Sequence, residues 1–167
     1  MIEISGYMKS LSAMLKALAA SIELSGLKGQ QKDLYYRLTA NKKMDAEDRL
    51  KVLFNHISEL REIDDKMKRN ETIMKESISE AISLLLDTID TISNDTPTTL
   101  IDSLSKTIDS IITFVSSNTF IASHLIGLSP RIIASADKNM TNYPNLSEHL
   151  RGLSDCLYIN LKTHSKI

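Results

Sequence analysis

Tryptophan is absent from these 167 residues, and the chain holds only one cysteine, three prolines and five glycines. A single thiol, Cys156, excludes an intrachain disulfide. Its neighbours Leu153 and Leu157 suit a small core residue rather than a reactive thiol, which needs a basic, partly exposed setting. Scarce glycine and proline leave few places where a helix must stop. Aromatics at 5% and the lack of long alternating apolar–polar runs argue against a sheet protein. The net charge of −1 offers no basic excess for nucleic acid. The nearest basic cluster, Lys66, Lys68 and Arg69, is surrounded by Asp64, Asp65 and Glu71 and reads as a solvated helix face.

Catalytic and ligand patterns are missing as well. There is no Gly-x-Ser-x-Gly elbow and no glycine-rich phosphate loop. His56, His124, His149 and His164 are scattered, with no His-x-x-x-His or Glu-x-x-His pair of the kind helical metal sites use. His56 and Glu59 stand three apart in the reverse order, which suits a surface contact. No cofactor, metal site or catalytic residue is expected. The N-terminus is no ordinary signal peptide: Glu3 precedes any basic residue, and Lys9 and Lys16 interrupt the apolar stretch. A cytoplasmic location is the expectation. Delivery by a specialised secretion system that leaves its signal uncleaved stays open, and four Asn-x-Ser/Thr triplets, beginning at Asn70, Asn94, Asn139 and Asn145, would matter only in a secreted chain.

What the chain has is apolar residues at helical spacing. Ile4, Met8, Leu11, Leu15, Leu18 and Ile22 step by four and three, a single stripe with Gly26 after it as a stop. Segment 26–44 is expected to be a connection with a short helix that carries Leu34, Leu38 and the adjacent pair Tyr35 and Tyr36. From Asp45 to Ser93 no Gly or Pro occurs. Its heptad stripe reads Leu50, Leu53, Ile57, Leu60, Asp64, Met67, Glu71, Met74, Ile78, Ala81, Leu85, Thr88 and Ile92, with polar residues at Asp64 and Glu71. Two helices with a turn at Lys68–Thr72, Asn70 capping the second, are favoured over one long helix that projects from the rest. Thr96-Pro97 and Ser129-Pro130 each mark a helix start. Ile101, Leu104, Ile108, Ile111 and Val115 form another stripe, and Leu146, Leu150, Leu153, Leu157 and Leu161 a last one capped by Asn145. Loops are expected at 94–99 and 138–145.

Residues 110–130 carry no Asp, Glu, Lys or Arg. Ser116, Ser117, Asn118, Thr119, Ser123 and His124 fall inside this stretch, and Asn118 and His124 would each be costly in lipid. Two short buried helices with a turn at Asn118 fit better than a membrane span. His124 lacks the surroundings of a phospho-acceptor helix: Leu125 stands where an acidic or polar neighbour is wanted, and the proline comes six residues on.

These readings converge on an all-α fold: a single domain over 1–167, an antiparallel bundle of five to seven helices. Its core is expected from the stripes of the first helix, 78–92, 101–115 and the last helix. The function expected is a non-enzymatic protein–protein interaction module, an adaptor, chaperone or regulatory subunit. Its coiled-coil stripes would bind another protein or a second copy, as in a homodimer. The candidate binding residues are Met8, Leu11, Leu15, Leu18, Ile22, Tyr35 and Tyr36. The alternatives are a membrane-active protein that exposes the 110–128 hairpin and a phosphotransfer protein using His124.

Overall fold

The computed structural model describes residues 4–39 and 45–165, and all regular structure among them is helical, without a strand. Six α-helices follow in order: α1 (Ile4–Thr39), α2 (Ala46–Asp90), α3 (Thr98–Ser117), α4 (Ala122–Leu125), α5 (Ser129–Asn139) and α6 (Pro144–Ser165). Single 3₁₀ turns at Thr119–Ile121 and Ile126–Leu128 flank α4. By contact the chain groups into two compact units: Met1–Ala17 with Lys75–Ile167 (unit 1), and Leu18–Met74 (unit 2).

Unit 1 is built around three of the expected stripes. Ile78, Ala81 and Leu85 of α2, Ile101, Leu104, Ile108, Ile111 and Val115 of α3, and Leu146, Leu150, Leu153 and Leu157 of α6 are all buried. Helix α6 packs on α3, α4 and α5. The charge-free stretch is core on its apolar side only: Ile111, Phe114, Val115, Ile121, Ala122 and Leu125 are buried, while Ser116, Ser117, Ser123, His124 and Gly127 are exposed. The chain turns at Asn118, whose side-chain amide donates to the Phe114 carbonyl at 3.0 Å. Ion pairs tie the helices at the surface. Arg131 of α5 binds Asp87 and, at 3.4 Å, Asp90 of α2. The Asp87 carboxylate, bonded to the guanidinium, raises the already high Arg131 pKa.

The cap signals are used differently from expectation. Pro97 occupies the cap position of α3, while Thr96 Oγ1 accepts from the Ser93 amide at 3.1 Å. Ser129 lies inside α5 and its hydroxyl meets that of Ser154 at 2.6 Å. Pro144, not Asn145, opens α6. Asp45 does cap α2, accepting from the Asp48 amide at 2.8 Å.

In unit 2, α1 and α2 pack through Leu27, Leu34 and Ile63, with Leu38, Leu60 and Met67 partly buried against them. Here two expectations are corrected. Helix α1 does not stop at Gly26. Residues 26–39 are helix, not a connection; 40–44 lie outside the described residues. Neither Gly26 nor Gly29 has a positive φ. Burial of Leu24, Leu27 and Leu34 on one side carries the helix through both glycines. Helix α2 is also one helix, with no turn at Lys68–Thr72. The charged middle supports itself through Lys66–Glu62 at 3.0 Å and Lys68–Asp64 at 2.9 Å, both at i, i+4. Asn70 is not a cap: it is buried, and its amide donates to the Lys66 carbonyl at 3.0 Å. The inward register runs Ile63, Met67, Asn70, Met74, so Asp64 and Glu71 do not interrupt it but sit beside it, half-buried.

The two glycines are exposed, and a Cβ at either meets nothing within 4 Å. Gly26→Ala and Gly29→Ala should therefore each stabilise the protein, by about 0.5–1 kcal/mol, read as a higher urea midpoint with an unchanged slope.

Candidate functional site

The candidate binding residues lie on α1, and the way α1 packs decides what they can do. In unit 1 its inward face is made of small side chains. Ser10 and Ala17 are fully buried and Ala13 nearly so. The Ser10 hydroxyl donates to the Ala81 carbonyl of α2 at 2.6 Å. A Cβ added at Gly6 would stand 3.2 Å from Thr88 Oγ1 of α2. The Tyr7 hydroxyl lies 2.8 Å from Thr107 Oγ1 of α3. A side-chain-to-backbone bond of this kind needs the two helices close together, and small residues permit that approach.

The heptad stripe lies roughly half a turn away from this face. It was expected in the core and it is not there. Ile4 and Met8 are 59% exposed and Leu15 is 66% exposed, while Leu11 is half-buried. In unit 2, Leu18 and Ile22 are exposed too, whereas Ala20 and Leu24 are buried. In unit 1 large side chains have no room on a face that approaches another backbone this closely, and Ile4, Met8 and Leu15 are turned to solvent. Tyr35 and Tyr36 of unit 2 are both exposed.

Sequence reading missed a second apolar face. Leu50, Leu53 and Ile57 were assigned to the α2 seam, yet all three are exposed in unit 2, together with Phe54. None of the residues from 46 to 62 is buried. The available signal was the spacing of Val52, His56 and Leu60, the half-buried positions of that segment, which leads into the Ile63–Met67 register.

Among the described residues the titratable side chains pair mostly at the surface. His124 is exposed in the short helix α4. His149 Nδ1 of α6 lies 2.6 Å from Asp109 Oδ1 of α3, a pair 40 residues apart that spacing could not reveal. The pair lines a shallow cleft of about 320 Å³ with Asp102, Ser105, Lys106 and Asn145. Ser105, the hydroxyl nearest in kind to a nucleophile, is buried and donates to the Ile101 carbonyl at 3.1 Å, so it is held within its own helix. Cys156 is buried, 3.2 Å from Asn160 Nδ2. His56 meets Glu59 at 3.3 Å on an exposed surface. Among the described residues no group of three or more His, Cys, Asp or Glu gathers to hold a metal ion.

No family model matches the chain, and no curated protein or solved structure matches it.

Ala17 is fully buried and Leu15, two residues away, is mostly exposed. Ala17→Leu should destabilise by about 1–3 kcal/mol through overpacking, whereas Leu15→Ala should change stability by less than about 0.5 kcal/mol; urea denaturation of the two variants measures both. Because the His149–Asp109 pair is partly solvated, Asp109→Ala should cost no more than about 1 kcal/mol, and a loss of several kcal/mol in the same assay would contradict that placement.

Proposed function

We propose that this chain is a non-enzymatic helical interaction module, an adaptor, chaperone or regulatory subunit, that binds a protein partner through the heptad seam of α1. One observation carries the reading: α1 presents Ile4, Met8, Leu15, Leu18 and Ile22 to solvent at coiled-coil spacing while small residues of the same helix pack inward. Surface leucines scattered singly need no explanation, but a seam at strict heptad spacing is what a partner helix needs. Tyr35 and Tyr36 extend the exposed apolar surface of α1 and suit contact residues, since aromatics are enriched in interfaces. In this reading the helices form an antiparallel bundle of the five-to-seven-helix kind, the protein works in the cytoplasm, and it needs no cofactor.

The membrane-active reading, in which the 110–128 hairpin is exposed, has length and composition in its favour: Thr98–Ser117 and Thr119–Asn139 are together long and apolar enough to cross a membrane, as a pair bent by 104°. Helix α1 is long and apolar enough, by length and composition, to cross a membrane. Its polar flank, however, carries Lys9 and Lys16 against Glu23, a thin basic face for an interfacial helix. Co-sedimentation with anionic liposomes at neutral and mildly acid pH distinguishes the two readings.

The test of the module is a pull-down from native expression level with wild type and with the double variant Leu11→Asp, Leu18→Asp. The variant should keep its helical circular dichroism and lose a stoichiometric partner entirely. A folded variant that retains the partner removes α1 as the binding surface.

A further inference from the structure

The occupant of the α1 seam follows from its flanks and its area. In heptad terms Met8, Leu15 and Ile22 hold one seam position, and Ile4, Leu11 and Leu18 the other. The positions that flank such a seam normally carry the charges that select a partner. Here they are Ser5, Ser12 and Ala19 on one side and Tyr7, Met14 and Ser21 on the other. None is charged. Two copies facing each other across this seam meet no like-charge repulsion, and a charged foreign helix finds no complementary charge to select it. Lys9 and Lys16 occupy the next position outward, away from the contact.

The positions left over, Gly6, Ser10, Ala13 and Ala17, face α1's own neighbours in unit 1. Along unit 1 the smallest residues of α1 pack inward, Tyr7 and Leu11 are half-buried, and Ile4, Met8 and Leu15 are left to solvent. Ile4, Met8, Leu11 and Leu15 belong to unit 1, and Leu18 and Ile22 follow along the same helix in unit 2.

The area sets the strength of the contact. Ile4, Met8, Leu15, Leu18 and Ile22 are between 44% and 74% exposed. At on the order of 100 Å² for a fully exposed aliphatic side chain, they present roughly 300 Å² of apolar surface per copy. Two copies remove roughly 600 Å² of apolar surface and, at the apolar share usual for such contacts, about 1,000 Å² in all. That reaches the lower limit of a specific interface and falls well short of an obligate one.

We infer that the α1 seam is a self-association surface, on which α1 of a second copy pairs by two-fold symmetry in a weak, concentration-dependent dimer. This inference rests on the interaction-module reading and names the partner of that same seam.

Sedimentation velocity on the full chain, from about 1 to 500 μM, spans dimers of micromolar-order affinity. Wild type should shift from monomer to dimer across this range. Leu15→Asp should remain monomeric throughout with unchanged circular dichroism, since Leu15 is exposed and its loss leaves the fold intact. Phe54→Asp, on the separate exposed face of α2, should dimerise as wild type does. A wild type that stays monomeric at every concentration overturns the inference, and so does a Leu15→Asp dimer. A monomeric wild type that captures a foreign protein, and loses it in the Leu11→Asp, Leu18→Asp variant, overturns self-pairing while leaving the module reading intact. A concentration-dependent wild-type dimer that Leu15→Asp abolishes upholds self-pairing even where no foreign partner is captured.

Discussion

The contact on which unit 1 depends is the close approach of α1 to α2 through residues with almost no side chain. Ser10 reaches the Ala81 carbonyl, and Gly6 leaves space beside Thr88 that a methyl group would crowd. Ala13 and Ala17 complete the face. Helices this near exchange many dispersion contacts per residue, although each side chain is small. The same closeness has an outward consequence. Residues that in an isolated amphipathic helix would be its buried stripe are displaced to the far side.

That displacement gives α1 two apolar faces with different tasks. The inward face is selected by size and the outward one by spacing. An apolar face left largely in water raises the free energy of the monomer, and burial against another helix lowers it. The absence of flanking charge then bears on the choice of partner more than on the strength of binding, because charges at those positions discriminate among helices. A seam without them suits a copy of itself.

The second unit follows other rules. Its helices meet through a thin set of leucines and isoleucine, and the start of α2 buries nothing. Continuity there is local. Ion pairs at i, i+4 and the Asp45 cap support α2 where packing is sparse, and the Leu24–Leu34 face carries α1 across two glycines. Each pair is worth only a few tenths of a kcal/mol, so their repetition along the helix matters more than any one of them.

Much of the fold was legible in the sequence. The all-helical class, the stripes of α3 and α6, the break at Asn118 and the buried apolar side of the charge-free stretch follow from apolar periodicity, a local property of the chain, although His124 and the serines of that stretch at 116, 117 and 123 are exposed. The missed features share one cause. Periodicity tells that a helix has a preferred side, and not which of two faces the rest of the chain will choose. Small residues register weakly on any hydrophobic scale, so Ser10, Ala13 and Ala17 were overshadowed by the leucines and methionine opposite them. The α2 seam went astray in the same way, because Leu50 and Leu53 outweighed Val52 and His56. Gly26 and Asn70 looked like punctuation, yet neighbouring side chains held both in helix. The pairing of His149 with Asp109, 40 residues away, required the fold. Helix content and period were determined by the sequence by itself. The choice of the inward face, and with it the exposure of the α1 seam, was decided only by tertiary packing, because that choice depends on how closely another backbone can approach.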